Sequence, residues 1–68
     1  MLRSARKTLD TVAGHNEDAA ISIMRAAESL GDELLRQQMY RVIHRLNQDA
    51  AELRLLRDAL GVEERRLA

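Results

Sequence analysis

Leu30-Gly31-Asp32-Glu33 stands between two stretches of nearly equal length, each carrying a seven-residue apolar repeat. In the first arm the repeat runs through Leu2, Ala5, Leu9, Val12, Asn16, Ala19, Ile23, Ala26 and Leu30. In the second it runs through Leu35, Met39, Val42, Leu46, Asp49, Leu53, Leu56 and Leu60. Spacings of three and four place such residues along one side of a helix. Gly31 can adopt a left-handed helix-ending conformation, and Asp32 can accept hydrogen bonds from the first free amides of the next helix. Glu33 adds a negative charge to that helix's first turn. The fold class expected is therefore all-α: an antiparallel helical hairpin, residues 1–68 as one domain, dimerising into a four-helix bundle.

The other two glycines decide how long each arm is. Gly14-His15-Asn16-Glu17-Asp18 reads as a stop followed by a start, with Asn16 as an N-cap. Yet Val12 and Ala19 keep the phase of the repeat across it, which an inserted loop destroys. A continuous or kinked first helix and a true break near Gly14-Asn16 both fit the sequence. In either case Leu2 to Val12 is expected to lie back against the far half of the second helix. That helix is expected from Glu33 to Leu60, ending or fraying at Gly61, a length of about 40 Å. A turn centred on residues 31 and 32 sets Ile23 near Tyr40, Ala19 near His44, Asn16 near Asn47, and Leu9 near Leu53 and Arg54.

Sixty-eight residues are few for a self-sufficient core. Small scaffolds obtain further stability from disulfides, a metal or another chain. This one has no cysteine and two histidines, so association is the expected route. Tyr40 is the lone aromatic residue, which leaves thin aliphatic seams suited to helix–helix packing. Eleven basic and eleven acidic residues balance, unlike the basic excess of general nucleic-acid binders. No apolar run approaches the roughly 18 to 20 residues of a membrane span. The basic opening Met1-Leu2-Arg3-Ser4-Ala5-Arg6-Lys7-Thr8-Leu9 imitates a transit peptide. Its apolar residues nevertheless stay in phase with the repeat, as structural residues do. A cytoplasmic location is expected, in keeping with the lack of cysteine.

The apolar residues exceed what one neighbouring helix covers. Met39, Tyr40, Ile43, Leu46, Leu53, Leu55, Leu56, Leu60 and Val62, with Ile21 and Met24 on the first arm, are the expected dimer or partner interface. Asn16, Asn47 and Asp49 interrupt or flank the seam as a polar layer of the kind that fixes register. Nothing in the pattern supplies a nucleophile–base pair, paired carboxylates, a phosphate loop or metal-ligand spacing, so no enzyme activity, cofactor or metal is expected. The function expected is a non-enzymatic protein that self-associates and binds a partner protein to regulate, inhibit or chaperone it.

Arg36, Arg41 and Arg45, with His44, give the second helix a basic side that a symmetric dimer presents twice. In layout, though not in residue motif, this resembles the Rop family of plasmid-encoded hairpins. That likeness implies a dimeric four-helix bundle and an alternative role as a regulator binding paired RNA loops, or DNA, through those arginines. Glu33, Glu52 and Asp58 stand close enough in sequence to neutralise them as surface pairs.

Overall fold

The structure, a computed structural model, describes residues 2–67, with Met1 and Ala68 outside the described residues. Two helices, α1 (Leu2–Glu28) and α2 (Glu33–Leu67), pack along each other as a hairpin. The rod measures 55 × 14 × 11 Å across its Cα atoms. Its radius of gyration is 15.8 Å, against about 11 Å for a compact domain of this length.

The turn forms much as its residues dictate. Ser29 and Leu30 donate their amides to the carbonyls of Ala26 and Ala27, tightening the end of α1, and the Ser29 hydroxyl also donates to Ala26. Asp32 then caps α2: its carboxylate accepts from the Leu35 amide at 3.1 Å and its carbonyl from Arg36. Gly31 departs from expectation, because no glycine has positive φ among the described residues. Hydrogen bonds spanning three residues close α1 in place of a left-handed cap.

α1 is unbroken through Gly14 and Asn16, which removes the alternative of two shorter helices. A Cβ added at Gly14 would meet nothing within 4 Å. The glycine therefore costs only its intrinsic helix penalty, about 1 kcal/mol, which packing along a 35-residue partner helix offsets. α2 likewise passes through Gly61 to Leu67, beyond the expected end at Leu60. Gly61 is buried beneath Arg6, whose Nη1 would lie 3.1 Å from an added Cβ. This glycine gives a cross-helix arginine room, and does not stop the helix.

The seam between the helices is narrow. Its buried apolar residues are Ala13, Ala20, Ala27, Ile43 and Ala50. Alanine recurs every seven residues along α1, so the backbones approach closely. Leu2, Leu9, Asn16 and Ile23 on α1, Leu30 in the turn that follows it, and Met39, Leu46, Leu53 and Leu60 on α2, are half-buried along one margin of that seam. These nine match the expected repeat. Of its other members Ala5 is also half-buried, whereas Val12, Ala19, Ala26, Leu35, Val42, Asp49 and Leu56 are exposed. Their seam places are taken by the residues one further on, Ala13, Ala20, Ala27, Arg36, Ile43, Ala50 and Arg57.

Facing residues are also displaced. Arg6 pairs with Glu64, Asp10 with Arg57 and Glu17 with Arg54. Each partner lies one to two helical turns further along α2 than a turn centred on residues 31 and 32 gives. The start of α1 does lie against the far half of α2, as expected.

Candidate functional site

Helical geometry gives the hairpin two unlike edges. On one, Asp10 and Glu17 of α1 meet Arg54 and Arg57 of α2. Arg54 grips Glu17 with both terminal nitrogens, at 2.6 and 2.9 Å, and its Nε lies 3.6 Å from Asp10. Arg57 donates to Asp10 and to its own neighbour Asp58. Arg6 extends the series to Glu64 at 3.0 Å. The forked Arg54–Glu17 pair fixes geometry as well as charge. Together these pairs close this edge and set the register of α1 on α2.

The Arg54 guanidinium, by its hydrogen bond first and its charge second, holds the Glu17 carboxyl below its ordinary 4.5, against the opposing pull of desolvation. A carboxyl depressed in the folded state binds fewer protons there than when unfolded. Its contribution is thus present above the ordinary value and lost as pH falls through the folded one. The thermal midpoint, followed by circular dichroism during acid titration, should therefore fall as pH drops below about 4.5. In Glu17→Gln that fall should be smaller, starting from a lower midpoint at neutral pH.

The opposite edge is apolar and open. Val12 is 40% exposed, Leu35 42%, Val42 44% and Leu56 51%. They flank the half-buried margin formed by Leu9, Ile23, Met39, Leu46, Leu53 and Leu60, making one face that runs along the rod. Near its middle an open hollow of about 430 Å³ is lined by Asn16, Asp49, Glu52, Leu53 and Leu56. Asn16 and Asp49 thus come together there, while Asn47 is exposed and does not line the hollow.

The remaining candidate residues fall into separate places. Ile43 is buried between the helices and unavailable to a second molecule. Leu55 and Val62 are exposed on the outer side of α2, in line with Leu34 at the same seven-residue spacing. Tyr40 and Met24 lie toward the ion-paired edge, and Ile21 beyond it. Arg36 is half-buried and bonded to Glu33 at 3.2 Å, whereas Arg41 and Arg45 are exposed on another side of α2. The three arginines do not form one face. No cluster of three metal-ligating side chains occurs among the described residues, and none of their helices is long and apolar enough to cross a membrane.

The sequence repeat missed Val12, Leu35 and Val42 as surface residues because it assigned them to the seam. The signal that finds them is charge: acids at 10 and 17 and arginines at 54 and 57 can meet only on one flank, which leaves the other flank for these three.

No protein-family model matches this chain, and no curated protein or solved structure matches it significantly.

Proposed function

We propose that this chain is a non-enzymatic interaction protein of the cytoplasm, which self-associates through its open apolar edge and binds a partner protein to regulate, inhibit or chaperone it. The observation that carries the reading is surface left uncovered. The accessible surface is 5242 Å² for 7.7 kDa, about 900 Å² more than a compact monomer of that mass exposes. A stable protein–protein interface buries about 800 Å² on each side. No large side chain is fully buried among the described residues, so the half-buried leucines of the lone hairpin forgo about half of the roughly 1.5 to 3 kcal/mol that a fully buried one supplies.

A second surface supports the partner-binding half of the reading. Leu55, at 69% exposed, and Val62 lie on the outer side of α2, away from the self-association edge. They stay uncovered when two hairpins join. Sedimentation equilibrium of the wild-type chain should give a dimer, and affinity capture from the native cell should recover a protein at fixed stoichiometry. Leu55→Glu with Val62→Glu should remain dimeric and lose that protein. A fully helical monomer at 100-micromolar concentration, on the order of a weak dimer's Kd, refutes self-association. Undiminished capture by the variant refutes the outer site.

A further inference from the structure

The open edge is apolar and its rim is self-complementary in charge, and we infer that it pairs with a second copy of this chain through an antiparallel contact of α2 with α2, on a two-fold axis crossing near Asp49. The inference rests on the self-association proposed above and adds its geometry. Asp49 sits close to the middle of α2, which spans Glu33–Leu67. Rotating a second α2 by half a turn about an axis there sets Leu46 against Leu53 of the second copy, Val42 against Leu56, and Met39 against Leu60. Every one of these side chains belongs to the open edge or its half-buried margin.

The same rotation sets Arg45 beside Glu52 of the second copy, and Glu52 beside its Arg45. Both residues are exposed at the rim of the edge. Among the described residues neither has an ion-pair partner within its own chain, the paired acids there being Asp10, Glu17, Glu33, Asp58, Glu63 and Glu64. Two reciprocal Arg45–Glu52 pairs therefore bracket the axis, a pattern that fixes orientation and register. The hollow beside Asp49, with Asn16 and Glu52 on its wall, leaves room for water around the two aspartates that meet at the axis. Along α1 the same edge carries Ala5, Val12, Ala19 and Ala26, mostly small, so the two α1 helices can close on each other as well. The contact ends where Leu35 reaches Glu63 of the second copy, a residue already paired with Arg66.

Charge reversal tests the geometry. Arg45→Glu alone opposes two acids twice across the axis, and Glu52→Arg alone opposes two arginines twice. Each should raise the dimer Kd by about tenfold. A one-to-one mixture of the two variants should form a heterodimer with Kd near the wild-type value, since every facing pair is again of opposite sign. The mixture contains the same chains as the separate samples, so altered monomer stability cannot produce this rescue. As the chain has no cysteine, Asp49→Cys provides a second readout. It should oxidise to a disulfide-linked dimer, whereas Gln37→Cys, on the outer side of α2, should not.

A dimeric wild type with neither rescue in the mixture nor cross-linking at position 49 overturns this geometry and leaves self-association standing. A monomeric wild type overturns both.

Discussion

Replacing Leu46 and Leu53 together with aspartate is expected to abolish self-association, raising the dimer Kd at least about a thousandfold. The two leucines sit half-buried on the margin of the seam, at the centre of the open edge. Each chain of a dimer contributes both, so four side chains leave the interface. Even if half of each is already covered within the hairpin, the lost burial is about 3 to 6 kcal/mol for the dimer. The carboxylates that replace them face apolar surface without partners, which adds a desolvation cost. Sedimentation equilibrium and thermal melting at several concentrations measure the outcome. The wild-type midpoint should rise with protein concentration. The double variant should be monomeric, with a midpoint independent of concentration and well below that of the wild type. A variant that keeps both mass and stability would remove the open edge from the account.

Ala50→Leu against Ala51→Leu separates the buried seam from the surface beside it. Ala50 is fully enclosed between the helices, whereas Ala51 is exposed one position on. Three extra carbon atoms at position 50 must push apart two backbones held close by alanines and by the Arg54–Glu17 fork. Overpacking of this kind costs about 1 to 3 kcal/mol, or roughly 4 to 8 °C in midpoint for each kcal/mol in a domain of this size. At position 51 leucine meets solvent, and the change should stay within about 0.5 kcal/mol. The repeat read from sequence alone places neither residue in the seam. It centres instead on Asp49, so the size of the Ala50 effect reports directly on the rotation of α2.

The ion-paired edge and the apolar edge divide the work. Exposed single salt bridges contribute little to stability, but a connected series of arginines and acids has a geometric consequence. It favours one offset of α1 on α2 and leaves Val12, Leu35, Val42 and Leu56 on the opposite, open flank. The hairpin therefore encloses chiefly alanines, covers its main leucine series only by half, and leaves Val12, Leu35, Val42 and Leu56 exposed, less burial than hydrophobicity alone favours. In the proposed dimer, a second copy on that flank gives those side chains the burial that the first pair of helices does not.

Several features were fully legible in the residues. Asp32 capping α2, a turn about residues 31 and 32, and the series Leu2, Leu9, Ile23, Leu30 with Met39, Leu46, Leu53 and Leu60 all follow from local chemistry and from the period of the helix, whereas the left-handed cap expected at Gly31 does not form. Gly14 and Gly61 were not legible. A glycine's effect depends on whether a neighbour compensates it, and the compensation here comes from a helix distant in sequence. The hollow at Asn16 and Asp49 was legible as two polar residues in an apolar repeat, but its other walls, Glu52 and Leu56, required the true rotation of α2.

Two helices, the place where the chain turns, and a greasy stripe on each that is wider than one neighbour covers all follow from the order of residues. Which half of each stripe goes inside, and how far one helix slides along the other, is set by contacts between the helices. Half of each stripe borders two possible seams at once, and periodicity scores both alike. The choice falls to forces acting across the hairpin: close approach of alanine backbones, and the meeting of Asp10 and Glu17 with arginines forty-odd and thirty-odd residues away.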